Sequence, residues 1–548
     1  MNKNGFTLIE LLVVVTIISL LLILVVPKIT NQMNNSKEEI NSTTKKIIYK
    51  AAEKYVQDYN INREKNENND YCLSLTELVD EQYLSSDVTD NKLGINIKDR
   101  KTVKISYDKE QGFNYELVNE NDCHDILYNG LTPVAYKDDK WVVVSPLNKN
   151  NEWYDYENQK WANAVVLEKG KTKLPGDEVT VEGENPDALM MFVWIPRYEY
   201  KIEGDFGKGG QSADLPGEIE VNFIGKNKTT PTEGYHINNA FSFDGEKSGF
   251  WVGKFELSHE TLSSNTTANN LGCSSTSCAN ASGLRILPNK ASLRYNNISN
   301  FWYGIRSIEN TQSFGLTNMD THMMKNSEWG AVAYLSQSKY GKYGNSDYDN
   351  KYKEVYQNKS SSYITGSSNG TPSQSTTNTQ CAYNDMQDLG EDTNGYKKGQ
   401  CGPGASTTGN IYGVYDMSGG SWEYVMGAYG TESPTIGNSG FASNVFTSNT
   451  IEAKYYDIYS NSTNSETNDG SKSCNNGICY GHGISEIKGS TTNRGWYGDY
   501  ASMVTSSSPW FMRGGHYSHS TGAGVFGRSY DGAHSVDYNS ARVVGFGK

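Results

Sequence analysis

The chain opens with an apolar run. Residues 6–26 read FTLIELLVVVTIISLLLILVV. About 20 apolar residues suffice to cross a bilayer as a helix, so this segment predicts a membrane-spanning helix. Glu10 alone breaks the pattern. An intramembrane carboxylate costs roughly 2.5–3.5 kcal/mol and marks function, with a partner that neutralises it. From Ile29 onward, apolar residues recur at Met33, Ile40, Ile47, Ile48, Ala51, Ala52, Tyr55 and Tyr59. Most steps are three, four or seven, the spacing of one helical face. A single helix over 6–59 would measure about 80 Å at 1.5 Å per residue. Further on, 72–80 reads as a short helix, and 101–107 and 112–118 alternate like two strands around a turn at 108–111. Residues 125–170 read as a connector with strand pieces (LTPVAY, KWVVVS) and an aromatic-rich stretch. MMFVWIPRYEYKI (190–202) and GFWVGKFELS (249–258) read as buried strands, and 327–341 as an amphipathic helix with a glycine stop. The Ser/Thr/Asn/Gly-rich stretches 358–380 and 432–473 read as surface insertions.

Composition narrows the class. With 548 residues, two to four domains are expected, and a formal net charge of −14 argues against a general nucleic-acid-binding role, which needs a basic face. The 38 Tyr and 54 Gly, with abundant Ser, Thr and Asn, suit a secreted, loop-rich β protein. The eight cysteines allow 105 pairings. Sequence proximity favours Cys72–Cys123, Cys273–Cys278, Cys381–Cys401 and Cys474–Cys479, which would place the chain in an oxidising compartment. No pair has CxxC spacing, and His516, His519 and His534 match no ligand pattern, so no metal centre is expected.

The leader differs from a secretory signal. Five residues, of which only Lys3 is charged, precede the apolar run, and Pro27 and Lys28 follow it in place of a small-residue cleavage site. KNGFTLIELLVVVTIISLLLILVVP resembles the class III signal of type IV prepilins and type II secretion pseudopilins. The resemblance implies that prepilin peptidase cuts after Gly5, that Phe6 is then N-methylated, and that Glu10 pairs with the N-terminal amine of a neighbouring subunit. A buried carboxylate and a buried ammonium relieve each other. Pro27 falls where helices of that family often carry a proline, which loosens a helix by removing an N–H.

Two later stretches carry a second likeness. NIYGVYDMSGGSWEYVMG (410–427) and FMRGGHYSHSTGAGVFGRSYDGAHSVDYNSARVVGFG (511–547), with FWVGKFE (250–256), resemble the formylglycine-generating-enzyme domain, a C-type-lectin variant. This implies structural roles for Asp416, Trp422, Glu423, Arg513, Gly514 and Gly515, with carboxylates satisfying backbone donors or an ion, and it admits a structural calcium ion. Oxidising members of that family use two cysteines just after the RGG motif. Here His516, Tyr517, Ser518, His519 and Ser520 follow, and no cysteine occurs after Cys479. Thiolates are needed for that copper and thiol chemistry, so the domain is expected not to be an enzyme and to carry no cofactor. The last segment is also similar to the variable region of diversity-generating-retroelement target proteins, which display changeable side chains on a lectin-like scaffold. That likeness makes His516, Tyr517, Ser518, His519, Tyr530, Asp531, His534, Asp537, Tyr538 and Asn539 candidate ligand-binding residues. Tyr offers contact area at low entropy cost, and Ser and Asn adapt their hydrogen bonds.

The expected architecture is therefore α+β. It comprises a leader at 1–5, a transmembrane or filament-core helix at 6–27 and a pilin-like module with a small sheet at 28–123. A connector follows at 124–189, then a large irregular lectin-like head at 190–548. The expected function is a minor pilin or pseudopilin that presents a non-catalytic binding head. It would be anchored in the cytoplasmic membrane before assembly and then carried to the cell surface. Its partners would be prepilin peptidase, other pilins, the membrane and a protein or glycan ligand, with no nucleic acid. The alternatives are a pseudopilin of a type II secretion or DNA-uptake machine and, third, a formylglycine-generating-type enzyme.

Overall fold

The computed structural model describes residues 44–58, 71–90, 95–96, 101–108, 112–119, 130–144, 153–171, 173, 176–262, 271, 273, 278, 280–316, 319–371, 380–460, 473–474, 477–487, 489, 491 and 493–547. The architecture is mixed α+β, with several antiparallel sheets and few helices. The chain divides into two compact units, 1–125 and 126–548.

In the first unit a helix covers 44–58, where Lys, Ala and Glu supply good helix formers. Ile48, Ala51, Ala52, Tyr55 and Val56 form its buried face. Ile47, counted above on that face, is 54% exposed. It sits one position off the stripe, which the 3.6-residue period turns toward solvent. The helix packs on Leu73, Leu75, Leu78, Val103 and Ile105. Strands Tyr71–Ser74, Lys101–Asp108 and Gly112–Asn119 form an antiparallel sheet in that order, so the hairpin expected at 101–118 is present. The helix expected at 72–80 is shorter, Leu75–Asp80. Its first residues pair as a strand, with Leu73 buried opposite Val103, and this ladder overrides the local helical pattern. Among the described residues no helix is long and apolar enough to cross a membrane. The segment expected to do so, 6–27, and the proposed Cys72–Cys123 bridge lie outside what the structure describes.

The second unit holds two seven-stranded sheets. The first is antiparallel, in the order Met319–Met323, Val543–Gly547, Gly249–Gly253, Ala188–Pro196, Asn163–Leu167, Leu131–Lys137, Lys140–Val143. Every residue of Asn163–Leu167, Gly249–Gly253 and Met319–Met323 is buried. Asn163–Leu167 and Gly249–Gly253 are largely apolar because both faces are covered, whereas Met319–Met323 buries the polar Asp320, Thr321 and His322. The expected connector at 124–189 thus supplies three strands of this sheet together with the buried Trp153 and Trp161, and the unit begins well before 190. The apolar run 190–202 breaks at Pro196. Tyr198–Lys201 pairs instead with Glu220–Phe223 and His236–Ile237 in a small separate sheet. The run 249–258 likewise stops at Gly253. There the buried Lys254 ammonium donates to Asn163 Oδ1 (2.8 Å) and to the carbonyls of Ile411 (2.7 Å) and Gly413 (2.9 Å).

The second sheet runs Gly477–Ile478, Ser473–Cys474, Asp457–Tyr459, Trp422–Tyr429, Trp510–Gly514, Gly524–Asp531, and Asn539–Ala541 adds in parallel to Trp422–Tyr429. The helix expected at 327–341 is Asn326–Ser336, and all eleven of its residues are buried. It is therefore a core helix, not an amphipathic one. A Cβ at Gly330 would stand 1.9 Å from the Gly481 carbonyl oxygen, so the helix backbone lies directly against the 481–483 loop. Neither polar stretch read as an insertion lies on the surface throughout. Asn358, Ser360, Thr365 and Ser368 are buried, and Phe441 and Phe446 pack within 5.9 and 6.2 Å of Trp510. Polar side chains are tolerated inside because they are bonded; Thr365 donates to the Leu287 carbonyl at 2.7 Å. Cys273–Cys278 and Cys381–Cys401 are disulfides as expected. Cys479 is also disulfide-bonded, and the side chain of Cys474 lies outside what is described.

Candidate functional site

The strand Trp510–Gly514 ends in two glycines with φ of +85° and +78°. At Gly515 a Cβ would fall 2.6 Å from Ala523 Cα, so only glycine allows this turn. The turn sends 516–521 out of the sheet before the chain re-enters it at Gly524–Asp531. Of the candidate binding residues, Ser518, Tyr530, His534 and Asp537 are exposed, and His516, Tyr517, His519, Asp531 and Tyr538 are half-buried. Asn539 is fully buried. It lies in the strand Asn539–Ala541, opposite Trp422, and so does not present itself to a ligand.

The accessible residues fall into two groups. In the first, the His516 and His519 rings lie 3.8 Å apart, and Tyr517 and Tyr538 stand 5.3 and 5.7 Å from His516. His519 Nδ1 accepts from the His516 amide at 3.2 Å, and His516 Nδ1 accepts from the Ser518 amide at 3.3 Å. Burial, with the neighbouring His516, pulls His519 down to about 4. Burial also lowers His516, against the pull of Asp537. Both imidazoles are therefore neutral near pH 7. In the second group, Asp531 Oδ1 accepts from the Tyr424 hydroxyl (2.6 Å) and the His534 amide (2.9 Å), and His534 Nε2 meets Asn438 at 2.9 Å.

Sequence reasoning missed several members of this face. Tyr363 packs edge-on to Tyr517 at 5.0 Å, with the Arg294 guanidinium 3.8 Å above its ring. Trp422 and Tyr500 each lie 5.2 Å from His519. Tyr295, 39% exposed, adopts a left-handed φ of +56° and donates its amide to the Val536 carbonyl. Arg294 and Tyr295, Tyr363 and Tyr500 come from three separate loops that no local pattern marks, whereas Trp422 begins the strand Trp422–Tyr429 and was expected only as a structural residue.

Beneath the face lies a buried charged network. Asp416 accepts from Asn358 (2.9 Å), the Gly366 amide (2.8 Å) and the Glu256 amide (3.4 Å). Glu256 accepts from the Ser421 amide at 2.7 Å and contacts the Ser292 hydroxyl. Arg542 binds Glu423 in bidentate fashion (2.9 and 2.5 Å) and donates to the carbonyls of Gly253 (2.8 Å) and Tyr415 (2.9 Å). Burial raises all three carboxyls, Glu423 to about 7. Arg513 donates to Asn326 Oδ1 (2.9 Å) and the His482 carbonyl (3.1 Å) and lies over Trp329. Burial, followed by the nearby Arg528, lowers it to about 9. Calcium takes six to eight oxygens. Carboxylates already tied to N–H donors and a guanidinium do not fit it, so the implied calcium has no site in this network. Among the described residues no group of three His, Cys, Asp or Glu side chains is placed to hold a metal.

Glu486 gives a pH test of this interior. It accepts from the hydroxyls of Tyr200 (2.8 Å) and Tyr334 (2.9 Å) and from the Gly481 amide (2.6 Å). Burial pushes it up from 4.5 to about 7. A carboxyl raised in the folded state contributes stability below its unfolded value, and that contribution is lost as pH rises through the folded one. Relative to Glu486→Gln, the wild-type chain should therefore lose about 3 kcal/mol between pH below 4.5 and pH above 7. Denaturant midpoints of the two proteins across that range check it. Parallel curves would refute the assignment.

Residues 1–26 match the family model of the prokaryotic N-terminal methylation motif. No curated protein matches the chain. The motif is that of a prepilin-type protein, processed by prepilin peptidase and anchored in the inner membrane beforehand. Gly5, Phe6 and Glu10 fall inside the matched residues and outside those the structure describes.

Proposed function

We propose that the chain is a minor pilin or pseudopilin that is cut after Gly5, methylated on Phe6 and assembled through Glu10, and that its second unit is a non-catalytic, lectin-like recognition head. The observation that carries this reading is the methylation motif over 1–26, with a single carboxylate five residues beyond the expected cut. The head's part rests on the His516–Tyr538 face. Half-exposed aromatic rings there share a surface with Ser518 and Asp537, a mixture suited to contact with a protein or glycan. The absence of catalysis rests on the residues after Gly515, where neutral imidazoles and hydroxyls stand in place of thiols. A unit spanning 126–548 would crowd a filament if every subunit carried one, which favours a tip or sparse position. Mass spectrometry of the chain recovered from its native envelope tests the reading. The N-terminus should be N-methylated Phe6. Material that begins at Met1 and enters no filament would overturn it.

A further inference from the structure

The hydrogen bonds of His516 and His519 fix where each imidazole carries its proton. Each Nδ1 accepts from a backbone N–H, that of His519 from the His516 amide at 3.2 Å and that of His516 from the Ser518 amide at 3.3 Å. A neutral imidazole whose Nδ1 accepts has its proton on Nε2. Burial keeps both rings neutral near pH 7, pulling His519 down to about 4. Each ring therefore turns an Nε2–H donor away from the 516–518 backbone. Among the described residues neither Nε2 meets a partner, and neither is sealed from solvent. Two open donors thus stand on rings 3.8 Å apart. The same tautomer disfavours a metal, which would need the lone pair of that nitrogen.

The donors are held stiffly. Gln357 Nε2 donates to the carbonyls of His516 and Tyr517 (3.2 Å each), and the Tyr517 amide donates to the Gly420 carbonyl at 2.9 Å. Trp422 and Tyr500, each 5.2 Å from His519, wedge its ring. Groups fixed before binding cost less entropy to engage. Tyr517 and Tyr538, 5.3 and 5.7 Å from His516, continue the aromatic surface. A net charge of −14 repels an anionic ligand, so the acceptors that suit these donors are neutral oxygens. In an extended peptide the carbonyls on one side recur at every second residue, about 6.5–7 Å apart. That is farther than rings with centroids 3.8 Å apart can spread their nitrogens. Adjacent hydroxyls of one sugar ring lie closer together, and the C–H face of the sugar packs on aromatic rings. Resting on the recognition-head reading above, we propose that the Nε2–H groups of His516 and His519 donate to hydroxyl oxygens of a neutral glycan whose sugar ring packs on Tyr517 and Tyr538, without calcium.

The test titrates the full chain, in detergent and EDTA, with hexasaccharides of α-1,4-glucose, β-1,4-glucose, β-1,4-mannose and β-1,4-N-acetylglucosamine, and with a decaproline peptide. At least one sugar should bind. His516→Asn and His519→Asn each keep an acceptor where Nδ1 stands and remove the Nε2–H. Each should weaken that sugar about tenfold and leave the thermal midpoint unchanged. Tyr396→Ser, which removes an exposed ring beside Lys351 instead, should bind as wild type does. The glycan assignment falls if no sugar binds, if binding requires added calcium, or if either histidine variant binds like wild type. If decaproline binds in a Tyr517-dependent manner while no sugar does, the recognition face stands and only the glycan assignment falls. If neither sugar nor peptide binds, the recognition face falls with it.

Discussion

A Gly5→Ala chain is expected to accumulate at full length in the inner membrane and to be missing from any filament. Two physical steps fail together. The added methyl group stands at the bond that the peptidase is expected to cut, where the motif has no side chain. Without the cut, Phe6 carries no free amine. Glu10 then has no ammonium to meet, and a carboxylate within the apolar 6–26 segment remains uncompensated, at a cost of roughly 2.5–3.5 kcal/mol if that segment enters the membrane. Glu10→Gln separates the steps. It should be shortened by five residues as usual, yet be depleted from sheared filaments, because an amide carries no charge to neutralise the amine. Immunoblots of membrane and filament fractions, with intact mass, read both outcomes. Normal shortening of Gly5→Ala, or normal incorporation of Glu10→Gln, would each remove one step of the account.

Legibility in the sequence followed periodicity. The 101–118 hairpin was readable because Val103 and Ile105 alternate with polar neighbours against Leu117 and Tyr115. The continuous run at 190–196 read as buried because its sheet is covered on both faces. What escaped was non-local. Leu131–Lys137 and Lys140–Val143 look like connector pieces until Asn163–Leu167 pairs with the first of them and carries the hairpin into the large sheet. The 358–371 stretch is polar in composition, yet it is interior because Asn358 and Gly366 bind Asp416. Within the candidate face, the C-terminal half was visible from its Tyr, His and Ser content. Tyr295, Tyr363 and Tyr500 were not visible, since a spatial neighbour supplied by a distant loop leaves no mark in sequence. Asn539 was misread for the converse reason: composition suggested a contact residue, and a parallel pairing with Trp422 buries it. Asp416 accepts from the Gly366 and Glu256 amides, whereas Glu423 meets Arg542, which the motif likeness did not single out.

That arginine carries the largest expected stability effect. Arg542 is the one residue between strand Asn539–Ala541, which pairs with Trp422–Tyr429, and strand Val543–Gly547, which enters the other large sheet. Its guanidinium reaches Glu423 in one sheet and the Gly253 carbonyl in the other, so a single side chain ties the two sheets where the chain crosses. Arg542→Met should lower the stability of the 126–548 unit by about 3–5 kcal/mol, the usual effect of removing one partner from a buried pair. Two terms add. The carbonyls of Gly253 and Tyr415 lose their donor, at about 1–3 kcal/mol each before relaxation. Glu423, close to Asp416, must also take up a proton. The second term depends on pH. Burial raises the Glu423 carboxyl and Arg542 pulls it back down, so the mutant's deficit should shrink in acid and grow in mildly alkaline solution. Glu423→Gln should cost less, because Arg542 keeps both carbonyls. Urea unfolding of the full chain, followed by tryptophan fluorescence at acid and alkaline pH, distinguishes these outcomes. If Arg542→Met matches wild type, or if its deficit does not vary with pH, the paired guanidinium is not what holds the two sheets together.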